Sequence, residues 1–149
     1  MRNVRDILRD KGTAVHSISP DASVYDALKL MAEKNVGALL ILDGDRLVGL
    51  VSERDYARKI ILKDKLSKET KVKEIMRTEV FTVTPDTDLD ERMELITVKR
   101  VRHLPVVEND RVIGIISIGD VVKGIIDHKE FVIGQLESYI KGYPVKQKT

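Results

Sequence analysis

The chain has 149 residues, carries 26 Lys+Arg against 24 Asp+Glu for a net charge of +2, and contains no Cys and no Trp. That length can bury a real core, and the missing Cys excludes a disulfide scaffold, a Cys-ligated metal site and a Cys nucleophile. The near-cancelling charge argues against a strongly basic nucleic-acid binder, the 42% apolar content against a disordered chain, and the lack of any apolar run near ~20 residues against a membrane span.

The N-terminus, Met1 to Gly12, lacks the apolar centre of a signal peptide and leaves little room for a transit peptide, so a cytoplasmic protein is expected. After the lead-in Val4–Leu8, Val15–Ile18 reads as a short strand ending at the turn Ser19-Pro20-Asp21. Ser23 and Asp26 have the spacing of a helix N-cap and its N3 partner, and Val24, Leu28 and Met31 follow at helical spacing to an end near Asn35. Ala38–Leu42 and Leu47–Val51 read as a hairpin joined by Asp43-Gly44-Asp45. Both strands are nearly all apolar, which predicts helices over their faces. A last helix opens at Ser52 and is expected to bury Tyr56, Ala57, Ile60 and Ile61. Lys63–Lys71 reads as a solvated connector.

The pattern then starts again. Residues 13–61 align with residues 78–126 at a constant offset of 65 without a gap, and 15 of the 49 positions are identical. The lead-in recurs as Val72–Met76. The second copy predicts a strand at Val80–Val83, the turn Thr84–Asp86, a helix capped by Asp88 with Glu91 and ending near Arg100, and a hairpin of Leu104–Val107 with Val112–Ile116. Its last helix opens at Ser117 and is expected to bury Val121, Val122, Ile125 and Ile126. The tail from His128 to Ile140 reads as a helix with Val132, Leu136, Tyr139 and Ile140 on one side, stopped by Gly142 before Tyr143-Pro144. Its apolar face needs cover, from its own core or from a second subunit. The organisation is a first repeat with lead-in and linker over residues 1–71, a second over 72–127, and a C-terminal helix and tail over 128–149. The fold class is α/β, a tandem duplicated βαββα unit.

Chemistry concentrates at one place in each copy. Ser52 and Asp55, and Ser117 and Asp120, are spaced as capping boxes at a helix start. A helix N-terminus is also a natural seat for phosphate, and an ionised Asp accepts hydrogen bonds from sugar hydroxyls. Both uses are compatible with the spacing. No Walker lysine loop, Gly-x-Ser-x-Gly or His-Glu-x-x-His occurs, so an enzyme is not expected. His16, His103 and His128 are scattered, which disfavours a structural zinc site.

The repeated unit resembles a CBS domain, named for cystathionine β-synthase. The resemblance rests on the lead-ins, the Ser/Thr-Pro-Asp turns, Leu104-Pro105-Val106-Val107, and the stretches Val48 to Asp55 and Ile113 to Asp120, and it covers residues 4–126. Leu39-Leu40 departs from the pattern where the second copy has Leu104-Pro105. The resemblance implies two repeats packed with pseudo-twofold symmetry, a Bateman module, with two clefts that take adenosine compounds such as AMP, ADP, ATP, NAD or S-adenosylmethionine. It implies a first cleft of Ser19, Val24, Val36, Gly37 and Ala38 with Ser117, Gly119 and Asp120. It implies a second of Thr84, Leu89, Val101, Arg102 and His103 with Ser52, Arg54 and Asp55. Leu50 and Ile115 would face adenine, and the backbones of Ile18 and Val83 would read its edge. By the same resemblance Asp55 and Asp120 hold ribose, with Ser52 and Ser117 near phosphate. Arg54 and Arg102, with Arg100 nearby, stand where the first cleft has glycines, so the second cleft is expected to be the phosphate-rich one.

No cofactor is required on this reading. The nucleotide is a regulatory ligand that could bring Mg²⁺ with it, and nothing in the sequence specifies a cage for the ion. The expected assembly is a homodimer. With no effector domain in the sequence, the response is expected to pass to a separate, unidentified partner protein. The alternatives are an adaptor dimer without ligand and a weak nucleic-acid binder.

Overall fold

The computed structural model describes residues 3–141. Its elements in chain order are α1 (Val4–Lys11), β1 (Ser17–Ile18), α2 (Val24–Lys34), β2 (Ala38–Asp43), β3 (Arg46–Ser52), α3 (Glu53–Tyr56), α4 (Leu89–Val98), β4 (His103–Glu108), β5 (Arg111–Ser117) and α5 (Ile118–Lys141). A 3₁₀ turn at Val72–Glu74 separates the halves. The duplicated α/β unit is present in both.

In the first half β1 pairs parallel with β2, and β2 antiparallel with β3. In the second, β4 pairs antiparallel with β5, and the strand expected at Val80–Val83 is reduced to a parallel bridge between Val83 and Val106. Both hairpins slip register at matching places, between Ile41 and Leu42 and between Val106 and Val107. Val15 and Val80, expected as strand residues, instead pack between the two sheets with Ala38, Leu40, Leu50, Val112 and Ile115. That cluster joins the repeats. The helices before β2 and β4 each end on a left-handed residue, Asn35 at φ 53° and Arg100 at φ 54°.

Two expectations about buried faces are corrected. After Tyr56 the chain continues as a π turn at Ala57–Ile61, closed by Leu62 N–H donating to Ala57 O. The wider winding turns the face, so Ile60 is buried while Ala57 and Ile61 are exposed. In α5 the stripe one turn apart, Val121 and Ile125, faces the core, and Val122 and Ile126 lie beyond its edge in solvent.

α5 runs on without a break into the expected tail helix. Val132, Ile133, Leu136 and Ile140 on it are exposed, so this stretch is not covered by its own core. The side chain of Tyr139, and Gly142, Tyr143 and Pro144, lie outside the described residues. No helix among those residues is long and apolar enough to cross a membrane.

The lead-ins are exchanged. Val4, Ile7 and Leu8 of α1 pack in the core of the second repeat, with Val83, Leu89, Ile96, Leu104, Ile116 and Val121. Val72 and Ile75 pack in the core of the first, with Val24, Met31, Leu39, Ile41, Val51 and Ile60. Each buried aliphatic side chain of this kind contributes about 1.5–3 kcal/mol. Each core therefore takes its lead-in segment from the far side of the linker.

Candidate functional site

In each half the last strand runs directly into a helix whose first turn carries the Ser-x-x-Asp pair. Ser52 Oγ accepts from the Asp55 N–H at 3.3 Å, and Asp55 Oδ2 accepts from both the N–H and the hydroxyl of Ser52 at 3.0 Å. In the second half the Ser117 N–H donates to Asp120 Oδ2 at 2.8 Å and the Asp120 N–H to Ser117 Oγ at 3.1 Å. The capping role read from the spacing is thus realised twice.

The two carboxylates differ in what else holds them. The side chain of Asp55 is 2% exposed and receives Arg77 Nε at 3.1 Å, with Lys59 Nζ at 3.8 Å. Asp120 is 26% exposed and receives Lys11 Nζ at 2.6 Å. Lys11 also donates to Ile115 O at 2.9 Å. Partial burial pushes the Asp120 carboxyl up, but the Lys11 hydrogen bond and charge and the Ser117 bonds outweigh it and hold it below the usual carboxylate value. Lys11 ends the exchanged helix α1, and Arg77 directly follows the exchanged lead-in Val72–Met76. Sequence reasoning missed both, along with Arg58 and Lys59.

Cations converge around the first helix start. The Arg54 guanidinium is held below its ordinary value chiefly by Arg102, then by desolvation, Arg58 and Arg77. Arg54 and Arg102 come from different repeats, so positive charge from both repeats bears on this helix start. Arg100, expected nearby, is not among these cations and serves as the left-handed residue closing the turn after α4. His103, half-buried, is held below the usual imidazole value by burial first, then by the charges of Lys11, Arg102 and Arg77, with Asp120 pulling the other way. Its electrostatic environment therefore draws on both groups of charges.

The other expected residues fall in three sets. Leu50 and Ile115 meet in the cluster between the sheets, and Ala38, opposite Ser52 in the ladder, joins them. Val24 and Leu89, expected to line clefts, are each 1% exposed and belong to the two cores, with Ile18, Val36 and Val101 packed against them. Ser19, Gly37, Thr84, Arg102 and Gly119 are exposed. The Ser19 hydroxyl accepts from the Asp21 N–H, and the Thr84 N–H donates to Thr87 Oγ1. The Gly37 carbonyl accepts from Glu53 N–H and the Arg102 carbonyl from Ile118 N–H, which ties each segment to the helix start of its own repeat. Val83 cannot offer its N–H to a base, because that N–H donates to Pro105 O at 3.1 Å while its carbonyl accepts from Val107 at 2.8 Å. No group of three or more His, Cys, Asp or Glu that could hold a metal ion occurs among the described residues.

The duplicated unit, its hairpins and its paired Ser-x-x-Asp helix starts correspond to the sequence pattern of the CBS domain, which matches residues 4–62 and 72–127. The chain belongs to the CBS domain family. This CBS pair is 39% identical over 148 residues to the mitochondrial CBS domain-containing protein CBSX3 of Arabidopsis thaliana, covering 93% of this chain and 72% of that one. A solved structure of a protein with CBS domains from Burkholderia ambifaria superposes with a TM-score of 0.79 at 49% identity, covering 85% of this chain and 95% of the other. Inosine-5'-monophosphate dehydrogenase of Methanocaldococcus jannaschii is 34% identical over 111 residues, which is 73% of this chain but 21% of that enzyme. CBS pairs thus occur both alone and as a small part of a larger enzyme, as regulatory modules.

Proposed function

We propose that this CBS pair is a regulatory module that binds an adenosine nucleotide (AMP, ADP, ATP or NAD) between its repeats and signals to a partner protein. The observation that carries the reading is the positive charge gathered from both sides of the linker at the Ser52–Asp55 helix start, where Arg77 is bonded to Asp55 and Arg54 feels Arg102. Guanidinium groups at the N-terminal end of a helix suit a phosphate group. Leu50 and Ile115 supply apolar surface between the sheets for a base. No chemical step is proposed, since Asp55 and Asp120 are engaged as helix caps and ion-pair partners. Mg²⁺ would arrive with a di- or triphosphate rather than in a protein cage. The cytoplasm is the proposed compartment, although the Arabidopsis relative is mitochondrial.

Thermal melts with AMP, ADP, ATP, NAD and S-adenosylmethionine test the reading, because a ligand that binds only the folded state raises Tm with concentration. Arg102→Ala and Arg54→Ala are each expected to weaken nucleotide binding about tenfold or more, the scale of one charge-assisted hydrogen bond. Unchanged affinity in both variants would remove the assignment.

A second reading, an adaptor dimer without ligand, is favoured by the exposed Ile133, Leu136 and Ile140 on α5. A related hexameric CBS-CP12 protein from cyanobacteria, 29% identical, shows that such pairs are found in assemblies. No Tm rise with any ligand, together with a stable homodimer, would select it.

A further inference from the structure

Arg77 is fixed at its backbone and poised at its side chain. Its N–H donates to Leu50 O at 2.9 Å and its carbonyl accepts from Leu50 N–H at 3.0 Å, which ties it to the strand leading into the site. From that anchor Nε donates to Asp55 Oδ1 at 3.1 Å. The other oxygen, Oδ2, is taken by Ser52. The Asp55 side chain is 2% exposed and that of Arg77 49%, so the guanidinium covers the carboxylate and keeps one side in water. Arg77 also belongs to the group of cations around Arg54, with Arg102 and Arg58.

A sugar diol reaching Asp55 Oδ1 competes there with Arg77, at 3.1 Å, and Lys59, at 3.8 Å. It would replace an ion pair with a hydrogen bond from a neutral donor and strand a cation among other cations. That exchange is unfavourable for a bare nucleoside. It becomes favourable when the ligand also brings phosphate, to which the released guanidinium can turn. We propose that Arg77 is the selectivity gate of the second cleft: it holds Asp55 closed to neutral nucleosides and yields to phosphorylated ones. This rests on the nucleotide reading above. Asp120 is the internal comparison. Its cation, Lys11, comes from a different segment, and its carboxylate is 26% exposed, so a change at Arg77 leaves its direct ion pair in place.

Calorimetric titration of adenosine and ADP into the wild type, Arg77→Leu and Arg77→Gln tests the gate. Gln carries its amide nitrogen as many bonds from the backbone as Arg carries Nε, so it keeps a neutral donor for Asp55 and protects the fold. Arg77→Leu is expected to bind adenosine about tenfold more tightly and to lose at least tenfold of the preference for ADP, on the scale of one such bond. Arg77→Gln is expected to fall between. In the wild type, the Arg77 Nε–H NMR signal is expected to shift as ADP saturates the protein, a readout that needs no variant. A wild type that binds ADP while both variants keep its ADP-to-adenosine ratio overturns the gate and leaves the nucleotide reading standing, as does an unmoved Arg77 signal at saturation. Failure of ADP and adenosine to bind the wild type and both variants, with no Tm rise from AMP, ATP or NAD, overturns both.

Discussion

Asp55 and Asp120 occupy matching places in the duplicated unit and meet different surroundings. One is sealed beneath Arg77; the other is half open beside Lys11. His103 lies within reach of both groups of charges, and its environment favours the neutral ring. Its folded pKa sits below the unfolded value of about 6.5, so between those two values the unfolded chain binds more protons than the folded one. Stability from this residue is fully present above the unfolded value and is lost as pH falls from there toward the folded pKa. Urea unfolding midpoints measured from about pH 7.5 down to about pH 5.5 should fall for the wild type and stay flatter for His103→Gln. An equal fall in both would show that His103 is not the group responsible. Asp120 has the same sign but a separate window: its lowered carboxyl gives stability above the unfolded carboxylate value that is lost in more acidic solution. The Ser-x-x-Asp caps were legible in the sequence because they act over three residues. Lys11 and Arg77 were not, because they reach their carboxylates from 109 and 22 residues away, and nothing local marks such a meeting.

At the scale of elements, the exchanged lead-ins need room on the strands they cross, and glycine supplies it. A Cβ on Gly49 would stand 2.6 Å from Met76 Sδ and 2.9 Å from the backbone oxygen of Arg77. A Cβ on Gly114 would meet Leu8 Cδ2 at 2.7 Å, the end of a side chain that can rotate. Gly49→Ala should therefore cost about 1–3 kcal/mol and Gly114→Ala less, read from urea unfolding. Equal costs would mean that the backbone at Arg77 shifts as readily as the Leu8 side chain. The hairpins were legible from apolar runs joined by Asp43-Gly44-Asp45 and Glu108-Asn109-Asp110, and the helix ends from Asn35 and Arg100. The π turn at Ala57–Ile61 was not. It follows from packing, where Ile60 is buried and Lys59 Nζ donates to Ile75 O at 2.8 Å, and such contacts leave the apolar spacing of the sequence unchanged. The strand expected at Val80–Val83 shrinks to a single bridge because β-rich composition alone does not secure a partner ladder.

For the molecule as a whole, exchange makes the two cores one cooperative unit. Ile7 lies early in the chain and fills the second core; Ile75 lies past the linker and fills the first. Ile7→Ala and Ile75→Ala should each destabilise by about 2–5 kcal/mol, and each should move a single unfolding transition. Separate transitions for the halves would contradict this. The same arrangement bears on synthesis. Helix α1 leaves the ribosome well before the residues it packs against, Val83, Leu89, Leu104 and Ile116, which follow about a hundred residues later. At the usual elongation rates of about 5–20 residues per second, its apolar face waits on the order of ten seconds. The first repeat waits as well, until Val72 and Ile75 emerge. A ribosome paused in the linker would therefore hold a half-protein whose strands have formed no complete core, and which depends on whatever shields nascent chains.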